Sequence, residues 1–234
     1  MKIKGIQKLT LIDYPGLLAC TVFCFGCNFR CGFCHNPELV LKDVGNDVSI
    51  EELLEFLKIR KKDLDGVCFT GGEPLMNIDV DLLVKIKEMG YKIKIDTNGS
   101  YPEVLERLID LNLVDFVAMD IKSAPENYEK LTNVNVDLEK IERSVKLIAR
   151  QVDNYEFRTT VLEKFHDVIE IKKIAEWLNS IVGKKLKKFA IQGFKNNEKF
   201  VDDFFKSYPD TSERHLRELR YEIKDYFDEI EIRV

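Results

Sequence analysis

The sequence lacks any long apolar run, and no stretch approaches the ~20 residues that a membrane-spanning helix needs. Its first sixteen residues, MKIKGIQKLTLIDYPG, also lack the apolar core of a signal peptide. Positive charge is not in excess, since 36 Lys and Arg stand against 41 Asp and Glu. A dedicated nucleic-acid binder usually carries a basic face. These absences predict a cytoplasmic protein that binds neither membranes nor nucleic acid.

Linkers, repeats and blocks of like charge are missing as well. At 234 residues and 45% hydrophobic content, the chain is long enough to bury a sizeable core without disulfide bonds. An α/β barrel of this length often folds as one unit. We therefore expect a single domain over residues 1–234, with an N-terminal edge segment at 1–16 and a first strand and cysteine-containing loop at 17–34.

Strand-like runs alternate with helix-like runs after the N-terminal segment. Helix starts are indicated by paired capping residues, Ser49 with Glu52 and Asp167 with Glu170. Six units of this kind predict an α/β fold, a partial (β/α)6 barrel with a parallel sheet and helices on the outside. A short last strand at 229–233 follows, and no further full unit is found that would complete an eight-fold barrel. The six predicted strands are 17–23, 66–70, 91–96, 114–120, 155–161 and 187–192.

Cysteine is confined almost entirely to one short segment. Five of the six cysteines fall within fifteen residues, and Cys68, the sixth, is expected to be a small buried hydrophobic residue. Disulfides do not explain the group, because the cytoplasm keeps thiols reduced. Two overlapping triplets have the same spacing: Cys20, Cys24 and Cys27, or Cys27, Cys31 and Cys34.

Local structure favours the second triplet as a metal site. Cys20 and Cys24 lie in or beside a strand-like run, whose extended backbone holds them ~13 Å apart. The segment 27–34 contains Asn28 and Gly32, which allow it to bend so that three thiolates converge. Zinc would require a fourth ligand, such as His35 or another cysteine. A cubane iron–sulfur cluster with three cysteines would leave one iron open.

The chain resembles the radical S-adenosylmethionine (SAM) superfamily. The resemblance rests on Cys27-x3-Cys31-x2-Cys34 after the first strand, TGGEP at 70–74, DTNG at 96–99 and Asp120-Ile121-Lys122, in that order. Within the superfamily it is similar to the activating enzymes of glycyl-radical enzymes. The segment LIDYPG at 11–16 most resembles the activating proteins of anaerobic ribonucleoside-triphosphate reductase.

The resemblance implies one [4Fe–4S] cluster per chain, with Cys27, Cys31 and Cys34 as its metal ligands. The open iron would chelate SAM, and one electron would cleave SAM to methionine and a 5′-deoxyadenosyl radical. The activity implied is that of an anaerobic oxidoreductase that forms a glycyl radical on a partner enzyme. A low-potential donor such as flavodoxin or ferredoxin would supply the electron.

The resemblance also implies a set of SAM-binding residues. Glu73 would accept hydrogen bonds from the ammonium group of SAM, and Lys122 would face its carboxylate. Two nearby aspartates would repel that carboxylate, unless Lys122, Arg158 or a bound monovalent cation offsets them. The implied set is Phe33, Cys34, His35, Gly71, Gly72, Glu73, Asp96, Asn98, Asp120, Ile121, Lys122 and Arg158.

Other positions leave alternatives. The sixth strand ends at Gln192, where the family often has a histidine, and we interpret His166 and His215 as surface residues at helix starts. The segment LIDYPG is expected to line the mouth of the site, or else to cover the sheet edge as a β-hairpin. Other functions also fit the sequence: a radical SAM enzyme acting on a metabolite or in maturation, or a non-catalytic iron–sulfur or zinc protein.

Overall fold

A computed structural model describes residues 1–43, 45–197 and 199–234. Its described residues form one eight-stranded sheet, in which the strands follow one another in chain order and the first and last strands are the edges. The first strand is antiparallel to the second, and every later pair is parallel. The strands are β1 (Ile3–Thr10), β2 (Ala19–Cys24), β3 (Gly66–Gly71), β4 (Lys92–Thr97), β5 (Phe116–Asp120), β6 (Tyr155–Val161), β7 (Leu186–Gly193) and β8 (Phe227–Arg233).

Helices connect the parallel strands and cover the outer face of the sheet. Three short 3₁₀ turns supplement them, at Pro74–Met76, Pro125–Asn127 and Asp203–Ser207. No described helix is long and apolar enough to cross a membrane. The helices are α1 (Pro37–Leu41), α2 (Ile50–Ile59), α3 (Val80–Glu88), α4 (Pro102–Asp110), α5 (Tyr128–Thr132), α6 (Leu138–Gln151), α7 (Val168–Val182) and α8 (Glu213–Glu222).

The predicted fold class is confirmed: this is a single α/β domain with an open, mostly parallel sheet. All six predicted strands are present, and the short last strand is β8, which pairs parallel to β7. Both faces of a parallel barrel sheet are buried. In this sheet, apolar side chains point outward to the helices and many polar side chains point into the barrel. In β4, for example, Ile93 and Ile95 join the outer core, and Lys94 and Asp96 face inward.

The N-terminal segment contains a strand that is not among the six predicted ones. β1 pairs with β2 as an antiparallel hairpin, with Gln7 opposite Thr21 and Thr10 opposite Ala19. The connection at 11–16 therefore lies at the amino end of β2, opposite the edge where the parallel strands end. The buried Tyr14 packs there against Phe116, with ring centroids 6.0 Å apart. The hairpin alternative therefore describes this segment. That the turn also lines an opening of the site stays a prediction.

The predicted caps hold with one difference. Ser49 and Glu52 form a complete capping box at the start of α2. Asp167 caps α7 by accepting from the Glu170 backbone N–H, 2.8 Å away. The Glu170 side chain instead accepts from Ser123 Oγ and the Ala124 N–H, so it anchors the loop that follows β5.

Candidate cofactor site

One cavity lies at the carboxyl ends of the strands, where parallel barrels build their sites. It encloses about 920 Å³ when counted out to its open mouth, open solvent included. It brings together nearly every residue that the sequence predicted for the site. Those lining it are Cys27, Cys31, Phe33, Cys34, His35, Gly71, Gly72, Glu73, Asp96, Asn98, Asp120, Lys122 and Arg158.

The two cysteine triplets have different surroundings. Cys20 and Cys24 are buried in the apolar core, on the face of β2 that they share with Val22, and neither lines the cavity. Cys27, Cys31 and Cys34 all line it. They belong to the cysteine loop, residues 25–36, which follows β2. The geometry therefore separates the thiols of the first triplet and gathers those of the second on one cavity wall.

Burial controls the ionisation of these thiols in the absence of a ligand. It raises the pKa of Cys27 to about 12 and that of Cys31 to about 11, although the nearby Lys122 ammonium lowers both. Thiols of this kind remain protonated until a metal replaces the proton. The cavity wall thus presents soft ligands whose metal binding releases protons.

Other elements brace the cysteine loop. The backbone N–H of Arg30 donates to the Thr132 carbonyl at 2.8 Å, and that of Asp202 donates to the Gly32 carbonyl at 3.0 Å. The amide of Asn98 donates to Asn28 Oδ1 at 2.9 Å. The loop is consequently held by the segments that follow β4, β5 and β7.

Close backbone contact explains the paired glycines of TGGEP. A Cβ on Gly72 would lie 1.9 Å from the carbonyl oxygen of Gly26, so only glycine fits there. Gly71 has φ +111°, a conformation that other residues rarely adopt. The Glu73 N–H donates to that same Gly26 carbonyl at 2.7 Å. The turn after β3 is thereby fastened to the start of the cysteine loop.

Glu73 is a buried carboxylate in the turn after β3. It accepts hydrogen bonds from Thr97 Oγ1 at 2.7 Å, from the Asn98 N–H at 2.6 Å and from the Leu75 N–H at 3.1 Å. Burial raises its pKa to about 7 even though these donors lower it. None of the three donors is a cation. A ligand ammonium would therefore supply the positive charge that this carboxylate lacks.

Five charged side chains form a chain of ion pairs along the inner face of the barrel, here called the charged row. Lys94 pairs with Asp96, and Arg158 bridges Asp96 and Asp120. Lys122 lies 2.9 Å from Asp120. Burial would raise the pKa of Asp120, but Arg158 and Lys122 hold it well below its usual range. Burial would likewise lower the pKa of Lys122, and Asp120 more than offsets that effect.

Three sequence interpretations need correction or refinement. Ile121 does not line the cavity, because alternation turns its fully buried side chain away from the face of Asp120 and Lys122. His166 is fully buried rather than at the surface. Its Nδ1 accepts from the Leu162 N–H, so its Nε2 donates to the Lys122 carbonyl at 2.9 Å. His35 lines the cavity while stacking on Phe194, with ring centroids 5.5 Å apart.

Sequence reasoning also missed residues of the site. Thr70 and Thr97 support Asp96 and Glu73 through their hydroxyls, and Thr160 and Gln192 line the cavity. Alternation did not reveal Thr160, because Thr159 and Thr160 break the pattern of their strand. Gln192 was noted only as the residue that stands where the family often has a histidine. Lys94 carried no signal either, because its strand reads equally well with a lysine in solvent.

Known proteins resemble this chain in sequence and in fold. Residues 21–178 match the Radical SAM superfamily. A protein of Methanocaldococcus jannaschii, provisionally named a glycyl-radical enzyme activating enzyme, is 35% identical over 237 residues, which cover 99% of this chain and 95% of that protein. A pyruvate formate-lyase-activating enzyme of Clostridium pasteurianum is 37% identical over 131 residues, or 52% of each chain.

A solved structure supports the fold. Streptococcus suis SuiB bound to its precursor peptide SuiA superposes with a TM-score of 0.67 at 15% identity. The match covers 92% of this chain and 48% of that one. At this identity the likeness establishes the fold alone.

The chain belongs to the radical SAM superfamily. Within it, the chain is a member of the glycyl-radical enzyme activating enzymes, as its full-length relative indicates. The predictions of family and of an enzyme are thus confirmed. Enzymes of this superfamily use a [4Fe–4S] cluster and SAM, and both are cofactors of this protein.

The residues present fit these cofactors. Three thiols on one wall match a cluster that has three protein ligands, and the carboxylate of Glu73 and the ammonium of Lys122 complement the two charged ends of an amino acid group. No three His, Cys, Asp or Glu side chains within the described ranges are arranged to hold a single metal ion. A cubane cluster requires wider spacing than one ion does, because each thiolate binds a different iron.

Proposed function

We propose that Cys27, Cys31 and Cys34 hold the [4Fe–4S] cluster and that the residues facing them bind SAM. The carrying observation is that one cavity contains these three thiols together with Glu73 and four members of the charged row, Asp96, Asp120, Lys122 and Arg158. When bound, the cluster supplies one electron for the cleavage of SAM to methionine and a 5′-deoxyadenosyl radical. The protein residues orient SAM and exclude water from it.

Charge complementarity supports a specific orientation of SAM. Glu73 would accept from the SAM ammonium, and Lys122 with Arg158 would face the SAM carboxylate. Phe33 is buried beside the thiols, with its ring 6.0 Å from Phe205, and would flank the adenine. His35 would contribute through its neighbouring backbone.

We further propose that the substrate is a glycine-bearing segment of a partner enzyme, and that the partner is an anaerobic ribonucleotide reductase. A second cavity of about 1240 Å³ adjoins the first, and Arg158 and Gln192 line both. Residues of the LIDYPG connection line its other side, including Leu11 and Ile12, which are 68% and 83% exposed. A protein segment can enter through such an opening, and the LIDYPG motif is the feature that points to the reductase.

Glycine suits this chemistry because its Cα hydrogen is unhindered and the product radical is delocalised over two flanking amides. The electron would come from a low-potential protein donor such as flavodoxin or ferredoxin. Each activation would consume one electron and one SAM.

The test combines the iron-loaded enzyme, SAM and dithionite with candidate glycyl-radical enzymes under anaerobic conditions. We expect a doublet glycyl signal by EPR with the reductase, and stoichiometric 5′-deoxyadenosine. A pyruvate formate-lyase serves as the comparison substrate. Abundant 5′-deoxyadenosine without an organic radical in any partner would contradict the proposal and favour a small-molecule substrate.

A further inference from the structure

Lys94 is a fully buried lysine on the inner face of the barrel, with 1% of its surface exposed. A buried charge is costly to maintain unless it is paired. Its ammonium pairs with Asp96, lies 3.8 Å from the Cys68 sulfur and stands 5.7 Å from the centre of the Phe116 ring. The ammonium thus has a single carboxylate partner, in otherwise weakly polar surroundings.

Lys94 is also the innermost member of the charged row. It lines the second cavity and not the first, so it lies behind Asp96 as seen from the thiols. Asp96 needs no further cation for its other oxygen, because Arg158 Nη2 lies 3.0 Å and Thr70 Oγ1 lies 3.2 Å from it. The positive charge of Lys94 is therefore additional, and it changes the net charge of the whole row.

The row contains three cations and two carboxylates, so it carries one net positive charge. Glu156, the nearest other carboxylate on β6, is already bound by Arg233 through contacts of 2.9 and 2.7 Å. Without Lys94 the row would be neutral, and Asp96 Oδ1 would lose its cationic partner, which leaves a carboxylate oxygen that a metal cation could bind. With Lys94, the surplus charge matches one ligand carboxylate.

We propose that Lys94 is a positioning residue for the SAM site, acting as the built-in counter-ion of Asp96 in place of a bound monovalent cation. It fixes Asp96, which in turn orients Arg158 toward Asp120 and the cavity. The inference rests on the proposed SAM site, since it concerns the charge which that site presents to the SAM carboxylate. Lys94 itself does not touch the ligand.

The test measures the dissociation constant of SAM on anaerobic, iron-loaded protein at constant ionic strength. Sodium or potassium chloride is exchanged for tetramethylammonium chloride, whose cation is too large to enter a carboxylate pair. Wild-type affinity should be the same in all three salts. Lys94→Met should bind SAM at least about tenfold more weakly in tetramethylammonium, and sodium or potassium should restore part of that loss. Lys94→Arg, which keeps the charge, should remain closer to wild type.

Lys92→Met is the matched control, because this lysine lies two residues earlier on the same strand, has a 58% exposed side chain and pairs with Asp115. It should leave SAM affinity unchanged. A wild-type affinity that depends on sodium or potassium would overturn the inference, even if Lys94→Met fails to fold. So would a Lys94→Met variant that binds like wild type, or one whose loss neither cation reduces.

Failure of the proposed site itself is distinguishable. In that case Lys122→Ala would also bind SAM normally. If Lys122→Ala is weakened while Lys94→Met is not, the SAM site stands and only the role of Lys94 is wrong.

Discussion

Strand β2 and the loop that follows it contain the same residue type at the same spacing in two different environments. Cys20 and Cys24 pack in the apolar core, whereas Cys31 and Cys34 line an open cavity together with charged groups. Spacing alone cannot distinguish the two triplets. The difference arises because an extended strand gives its side chains to the core, while a bent loop can direct several to one point. The comparison teaches that ligand identity here depends on backbone conformation.

Gly72 contacts Gly26 at the point where β2 passes into the cysteine loop. Disrupting this contact should have the largest effect on stability and iron content. Gly72→Ala would place a Cβ 1.9 Å from a backbone oxygen that cannot move without displacing the cysteine loop. We expect a loss of about 3 kcal/mol or more in the free energy of unfolding, together with loss of bound iron. Chemical denaturation and iron analysis measure both.

Gly5→Ala is the control for that substitution, because nothing lies within 4 Å of a Cβ at Gly5. Its stability and iron content should match wild type. Equal behaviour of the two variants would mean that the turn after β3 is not fastened to the cysteine loop.

The cavity side of the comparison can be tested without disturbing the thiols. Lys122→Ala and Asp120→Ala should each keep the iron content but weaken SAM binding by about 2 kcal/mol, or roughly thirtyfold. Lys122→Ala removes a cation that would face the SAM carboxylate, and Asp120→Ala leaves Lys122 without its carboxylate partner. SAM titration of the reduced protein, followed by EPR, reports the change. An undiminished spectral response in both variants would mean that these residues have a purely structural role.

The pH dependence of SAM binding should report Glu73. Burial raises its pKa to about 7, so its ionised form, the one that attracts an ammonium, grows as the pH rises through 7. Affinity should therefore increase about tenfold between pH 6 and pH 8. Glu73→Gln should bind weakly at both pH values. A wild-type affinity that falls with rising pH would contradict this role.

The raised pKa of Glu73 also affects the stability of the SAM-free protein. The folded state holds the Glu73 proton more tightly than the unfolded chain does, so this contribution to stability is lost as the pH rises from about 4.5 to about 7. Glu73→Gln should remove that part of the pH dependence. Denaturation at several pH values measures it.

Substitution of the cysteines in the core should give the smallest effect. Cys20→Ala removes a buried sulfur and leaves a small cavity, so we expect a loss of about 1 kcal/mol in the free energy of unfolding. SAM binding should be unchanged. Cys68→Ala should lose a similar amount of stability. A large loss of SAM affinity in Cys20→Ala would contradict this expectation, because it would mean that the core thiol affects the SAM site.

The sequence predicted most of the fold because its strands and caps are encoded locally. β1 was missed because its burial does not alternate and its existence depends on pairing with β2. In β4 the pattern Lys-Ile-Lys-Ile suggests a half-exposed strand, yet the barrel buries both faces and Lys94 becomes internal. His166 was misplaced for a related reason, since its partners Leu162 and Lys122 lie on different elements. Such tertiary placements leave no periodic signal.

The site was predictable to the extent that motifs mark strand ends. Arg158 is an instructive limit, because neighbouring threonines hide its direction in the sequence, while the structure places it between Asp96 and Asp120. Ile121 shows the opposite error, in which a residue inside a motif is mistaken for part of the cavity.

Iron content after anaerobic reconstitution tests the central claim most directly, measured on the six single Cys→Ala variants side by side. Wild type and the variants at Cys20, Cys24 and Cys68 should hold about four irons per chain. The variants at Cys27, Cys31 and Cys34 should each lose the cluster. Loss of iron in Cys20→Ala together with retention in Cys34→Ala would contradict the account, because the ligands would then lie in the core strand.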